Sequence, residues 1–128
     1  FFGATGCSGG IGAFYATLKL SNCSFNRTNL YASQSAVEVA DSTFENSLFS
    51  ANDLYYTHLS VTGNVSYVNN KATVHGGAQY LYNSDLTVTA PANITFVNNF
   101  ALYGGAIFID TNDDESNCML HFTDPMVP

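Results

Sequence analysis

Residues 86–110 read LTVTAPANITFVNNFALYGGAIFID, and the fold turns on how this stretch is parsed. Leu86 and Val88 alternate with Thr87 and Thr89, and Ile94 and Phe96 alternate with Asn93 and Thr95. A period of two marks strands with one buried face. Asn98-Asn99 and Gly104-Gly105 interrupt the pattern, and Ala106-Ile107-Phe108-Ile109 resumes it. Three short strands separated by corners predict one triangular coil of a solenoid rather than a hairpin.

The same text recurs outward from this window. LSVTGNVSYVNNKATVHGGAQYLYNSD begins at Leu59, VEVADSTFENSLFSAND at Val37 and LKLSNCSFNRTNLYAS at Leu18, while MLHFTDP at Met119 reads as a shortened last copy. The aromatic anchors are Phe25, Phe44, Tyr67, Phe96 and Phe122. Their intervals of roughly 20 to 30 residues fall in the range of strand-based solenoids. Aligned, the copies give inward columns Leu18/Val37/Leu59/Leu86, Leu20/Val39/Val61/Val88 and Cys23/Ser42/Val65/Ile94, with the aromatics as a fourth. Gly9-Gly10-Ile11 is in phase with Gly76-Gly77-Ala78 and Gly104-Gly105-Ala106, where a corner needs positive φ or close approach of the next coil. The expected fold is all-β, a right-handed parallel β-helix of about five coils and about 24 Å tall, the hand following the general rule for parallel crossovers. Residues 1–128 form one domain: 1–17 an opening or capping coil, 18–110 the repeat coils, and 111–128 an acidic loop with a terminal coil.

Composition narrows the function. The 128 residues are 46% hydrophobic, with eight Tyr and ten Phe, suited to pleated surfaces. No run is long and apolar enough to predict a membrane-spanning helix. Lys19, Arg27 and Lys71 stand against ten carboxylates, for a net charge of −7. Phosphate backbones and anionic lipid surfaces need clustered cations, so neither nucleic acid nor such a membrane is an expected partner. The sequence opens on Phe1 rather than a methionine and reads as a processed product or a fragment.

Beside the inward columns runs an outward one: Asn22, Asp41, Asn64 and Asn93. Asn22, Asn64 and Asn93 each open an N-x-[ST] sequon, and Asn26-Arg27-Thr28 is a fourth. Repetition at one solvent-facing position makes Asn22, Asn26, Asn64 and Asn93 candidate N-glycosylation sites of a secreted protein. Two residues after the aromatic anchors come Arg27, Asn46, Asn69 and Asn98. Asn46, Asn69 and Asn98 are expected to form an asparagine ladder, to serve as left-handed corner residues, or both.

Cys7, Cys23 and Cys118 are an odd set, leaving one thiol free or available between molecules. Cys7 and Cys23 lie less than one coil apart and are able to meet, whereas Cys118 in the last coil is the candidate for an intermolecular bond. His58, His75 and His121 fall in different coils and are expected as corner or surface residues. Asp110, Asn112 and Asp114 have the alternating oxygen spacing of calcium loops, but Glu115 replaces the required glycine and the closing Glu is missing, so the sequence predicts no metal site and no cofactor.

Tyr67-Val68-Asn69-Asn70 and Phe96-Val97-Asn98-Asn99 match an FxxN motif, with Tyr for Phe in the first. Gly104-Gly105-Ala106-Ile107 matches GGA[ILV], and Gly76-Gly77-Ala78-Gln79 departs from it in its last residue. In these paired motifs the chain resembles the repeats of chlamydial polymorphic outer-membrane proteins and of similar extracellular proteins of simple eukaryotes. The resemblance implies a surface-exposed right-handed parallel β-helix, adhesive in the bacterial members. Phe25-Asn26-Arg27-Thr28 and Phe44-Glu45-Asn46-Ser47 depart from the motif at its final position.

The expected function is therefore that of an extracellular, glycosylated, non-enzymatic structural protein. Its coils stack head to tail into a filament or form part of a longer fibre, because no capping helix is visible and open coil ends invite pairing. The alternative is a carbohydrate- or partner-binding adhesin using Tyr55, Tyr56, Tyr80, Tyr82 and Tyr103. A polysaccharide-active β-helix enzyme would need a pair of carboxylates for acid/base work, and no outward column supplies one.

Overall fold

The computed structural model of the chain describes residues 2–5, 11–89, 91–110 and 120–123. These residues form fifteen short strands wound as a parallel β-helix. The first wall contains β1 (Phe2–Thr5), β3 (Thr17–Ser21), β6 (Ala36–Ala40), β9 (His58–Val61), β12 (Asp85–Thr89) and β15 (Leu120–Thr123). The second contains β4 (Ser24–Asn26), β7 (Ser42–Glu45), β10 (Val65–Val68) and β13 (Ile94–Val97). The third contains β2 (Ile11–Phe14), β5 (Leu30–Ser33), β8 (Asn52–Tyr55), β11 (Gln79–Tyr82) and β14 (Ile107–Asp110). Four coils thus run through all three walls between residues 17 and 110.

Every pairing is parallel and in register with the sequence columns. Leu18 faces Val37, Val37 faces Leu59, and Leu59 faces Leu86. Leu20, Val39, Val61 and Val88 make the neighbouring column. Their side chains are buried, as period-two alternation requires when one face of each wall lines a closed interior. The aromatic column stacks face to face, with ring centroids 4.5 Å apart for Phe25–Phe44, 5.0 Å for Phe44–Tyr67 and 5.2 Å for Tyr67–Phe96. Phe122 does not belong to this column. It faces Val88 on the first wall, because Leu120 rather than Met119 opens that strand opposite Leu86.

Corners follow one rule. Among the described residues, ten non-glycine positions have positive φ: Tyr15, Asn22, Arg27, Gln34, Asp41, Asn46, Tyr56, Asn69, Asn83 and Asn98. All ten lie at the end of a strand, where a single left-handed residue turns the chain into the next wall. The residue after it points inward and ties the coils together. Between the third and first walls, the Ala16 N–H donates to Ser35 Oγ (3.1 Å), Ser35 N–H to Thr57 Oγ1 (3.4 Å) and Thr57 N–H to Ser84 Oγ (2.9 Å). This hydroxyl column has no distinctive sequence signal, since Ser and Thr abound throughout the chain.

The same rule corrects the expected asparagine ladder. Asn46, Asn69 and Asn98 hold the left-handed corner with exposed side chains, and the inter-coil amide bonds of the last two coils sit one residue later, on Asn70 and Asn99. Asn70 Oδ1 accepts from Ser47 N–H at 3.0 Å, and Asn70 Nδ2 donates to Phe44 C=O at 3.0 Å and to Asn99 Oδ1 at 2.9 Å. Asn99 Nδ2 donates to Tyr67 C=O at 2.9 Å. Side chains at the left-handed position splay outward and bond between coils only at the surface, as Asn46 Nδ2 does to Asn26 Oδ1 at 3.2 Å; the buried inter-coil bonds belong to the following residue.

The corner between the second and third walls also absorbs the growth of the repeat, which separates equivalent residues by 19, 22 and then 27 positions. The enlarged loops stack through Lys71 beside Phe100 and His75 beside Tyr103. Gly77 is required there, because a Cβ would lie 2.2 Å from the Gly105 carbonyl oxygen. Gly76 and Gly104 take positive φ at equivalent places, as the sequence phase predicted; Gly9-Gly10 lies outside the described residues.

Two of the departures from the repeat motifs, Tyr67 for Phe and Gln79 for an aliphatic residue, occur in one coil and answer each other. The Tyr67 phenol, fully buried, donates to Asn52 Oδ1 and accepts from Gln79 Nε2 at 2.9 Å. Tyr in place of Phe brings a hydroxyl into the core, and Gln in place of an aliphatic residue satisfies it. Burial holds the Tyr67 phenol above its ordinary pKa. Tyr67→Phe and Gln79→Ile should each cost about 1–3 kcal/mol by stranding a buried partner. The double variant should cost less than the sum, by about 0.5–3 kcal/mol, in urea denaturation. Asn70→Ala should lose at least about 2 kcal/mol through its orphaned backbone partners, while Asn69→Gly stays within about 0.5 kcal/mol.

Candidate functional site

The outer face of the third wall carries the densest chemistry on the surface. Alternation places Tyr31, Asp53, Tyr80 and Phe108 in one outward column and Phe14, Ser33, Tyr55, Tyr82 and Asp110 in the next. Large rings occupy both columns and zigzag up the wall: centroids are 5.5 Å apart for Phe14–Tyr31, 5.4 Å for Tyr31–Tyr55, 5.8 Å for Tyr55–Tyr80 and 5.8 Å for Tyr80–Phe108. Tyr82 packs on Tyr55 at 5.9 Å, and Tyr56 meets Tyr82 edge-on at 5.7 Å. The corner loop adds His75, 4.4 Å from Phe108 and 5.7 Å from Tyr103.

Carboxylates are set into this aromatic surface. The Tyr55 phenol hydrogen-bonds Asp53, and the Tyr80 phenol donates to Asp110 Oδ2 at 3.2 Å. Desolvation among the rings raises the Asp53 pKa, partly offset by the Tyr55 hydrogen bond. Desolvation also raises the Tyr55 pKa, reinforced by the Asp53 charge. Tyr80 is pushed up to about 12, first by desolvation and then by its bond to Asp110. Flat half-exposed rings flanked by hydrogen-bond acceptors suit ligands with apolar faces and hydroxyl edges, as pyranose rings have.

Of the tyrosines singled out from sequence, Tyr55, Tyr80 and Tyr82 stand in this ladder half-buried, while Tyr56 and Tyr103 are exposed. Phe14, Tyr31, Asp53, His75 and Phe108 were not legible as members, because the zigzag crosses columns and joins side chains from coils of unequal length. Beside the wall, the corner loops expose Leu48, Phe49, Phe100 and Leu102.

The remaining candidates are dispersed. Asn22, Asn26, Asn64 and Asn93 are all exposed, and Asn64 N–H donates to Asp41 Oδ1 in the corner column. Cys23 is buried and disulfide-bonded. Cys7 and Cys118 lie outside the described residues; the offset of β1 from β3, Phe2 opposite Leu18, equals the separation of Cys7 from Cys23. Asp110 engages Tyr80, while Asn112 and Asp114 lie outside the described residues. His58 is a surface residue, yet it has a partner the sequence did not reveal: Nδ1 contacts Asp85 Oδ1 in the next coil. Nearby, Lys19 and Glu38 form a half-exposed ion pair at 3.6 Å. Among the described residues Glu38, Glu45, Asp53, Asp85 and Asp110 fall in five different outward columns. No protein-family model, curated protein or solved structure matches this chain significantly.

The raised Tyr80 pKa has a direct consequence. The unfolded phenol ionises near 10.0 and the folded one near 12, so the neutral phenol's contribution to stability is complete below pH 10 and is lost as pH rises toward 12. In a spectrophotometric titration Tyr80 should ionise late, near pH 12. Asp110→Asn should bring the Tyr80 midpoint part of the way back toward 10.0; an unchanged midpoint would show that Asp110 does not act on it.

Proposed function

We propose that this chain is a structural module of an extracellular, N-glycosylated fibre, with no catalytic role, whose coils continue either within a longer chain or head to tail between copies. The observation carrying this reading is the state of the last complete coil. β13 and β14 are the outermost described strands of their walls. Ile109 continues the inward column of Leu54 and Leu81; those two are fully buried, whereas Ile109 is 40% exposed. Ile94, Phe96 and Ile107 are likewise only half-buried. An inward column meeting solvent, on strands that no further described strand flanks, is the surface that another parallel coil covers. The four exposed sequons support secretion, and glycans at Asn22, Asn64 and Asn93 along the corner between the first and second walls, with Asn26 at the far end of β4, would leave the coil ends free to pair.

A second reading is favoured by the aromatic wall: the solenoid displays a carbohydrate- or partner-binding surface, the adhesin alternative. It is compatible with a fibre, since stacking leaves the third wall accessible.

Negative-stain imaging at rising concentration tests the first reading. End-to-end threads or short rods are expected, and Ile109→Lys should abolish them while leaving the circular-dichroism spectrum unchanged. Uniform single particles at every concentration would contradict stacking between copies. For protein secreted from a eukaryotic host, intact mass should fall on enzymatic removal of N-glycans, and replacing the four sequon asparagines with Gln should remove that difference.

A further inference from the structure

We propose that the aromatic wall is a site of oxidative tyrosine coupling, in which Tyr55 joins covalently to Tyr31, Tyr80 or Tyr82 when a peroxidase and hydrogen peroxide act on the protein. The proposal rests on ring geometry and proton acceptors, and it holds whichever functional reading is correct.

Tyr55 is the hub. Its ring centroid lies 5.4 Å from Tyr31, 5.8 Å from Tyr80 and 5.9 Å from Tyr82, and each partner belongs to an adjacent coil. Holding reactants in contact gives coupling a high effective concentration, so two radicals on one wall meet faster than radicals on separate molecules. Entry is available at Tyr56, which is 50% exposed and packs edge-on against Tyr82 at 5.7 Å. From there ring contacts lead through Tyr82 to Tyr55.

Acceptors for the departing protons are in place. Removing an electron from a phenol makes it strongly acidic, so oxidation needs a base at the hydroxyl. Tyr55 is hydrogen-bonded to Asp53, and Tyr80 to Asp110 at 3.2 Å. Each of two phenols loses one electron and one proton, giving two phenoxyl radicals. A carbon–carbon bond forms between the ring carbons next to each oxygen. The hydrogen on each joined carbon then moves to oxygen and restores both phenols. Hydrogen peroxide takes up the two electrons and two protons and leaves as two waters. The product staples successive coils and shortens the loop left free in the unfolded chain, which stabilises the stack as a cross-link does.

The test treats the dilute, folded full chain with a peroxidase and hydrogen peroxide and then isolates the monomer fraction. Dityrosine fluorescence and a mass lower by two hydrogens are expected there. Peptide mapping should join the Tyr55 peptide to the one containing Tyr31 or to the one containing Tyr80 and Tyr82. Tyr55→Phe should lower the monomer's dityrosine several-fold, whereas Tyr103→Phe should leave it unchanged. Dityrosine confined to covalent dimers, cross-links that bypass Tyr55 in the wild-type map, or an unchanged yield in Tyr55→Phe would each overturn the proposal. The map of the wild-type chain decides the question even if the Phe variant folds poorly.

Discussion

In-register parallel pairing of each coil with the next is the constraint on which everything else rests. The backbone N–H and C=O groups of the interior wall strands find their partners in the coils above and below, so a side chain's neighbours are set by sequence equivalence. Apolar residues therefore collect into continuous inward columns, and the rings of Phe25, Phe44, Tyr67 and Phe96 stack within 4.5 to 5.2 Å. Long-range contacts dominate accordingly, and no described segment has a core of its own.

The constraint makes substitutions interdependent. A polar atom introduced into a column meets the same position one coil away and the adjoining wall of its own coil. Tyr67, Asn52 and Gln79 show the outcome: the hydroxyl is satisfied by both amides, while Asn52 Nδ2 and Gln79 Oε1 are buried without a hydrogen-bond partner. On the outer surface the same logic assembles the aromatic wall. Tyrosines tens of residues apart in sequence are brought ring to ring, and Asp53 between them is desolvated because the rings exclude water.

Much of this was legible in the sequence wherever side-chain alternation is strict. The Leu18, Leu20 and Cys23 columns were placed correctly, since a one-residue slip would have turned every apolar group outward. Corners were less legible. The pair Asn69-Asn70 does not say which member takes the left-handed backbone and which turns inward; only the strand's end point decides it, and it assigns the ladder to Asn70. The Ser35, Thr57 and Ser84 column was missed because hydroxyls carry no pattern of their own. Phe122 was misplaced because one aromatic in a short copy cannot fix a phase without its neighbours. The aromatic wall needed both the register and the alternation of two columns, which spacing along the chain does not encode.

The most direct test of the stacking account is the pattern of nuclear Overhauser contacts between methyl and ring protons of the isotopically labelled protein. The account predicts Val39 methyls next to those of Val61, Val61 next to Val88, and the Phe44 ring next to both Phe25 and Tyr67, with no contact between Val39 and Val88. Cross-peaks linking Val39 directly to Val88, or backbone contacts of antiparallel neighbours between His58–Val61 and Asp85–Thr89, would contradict it.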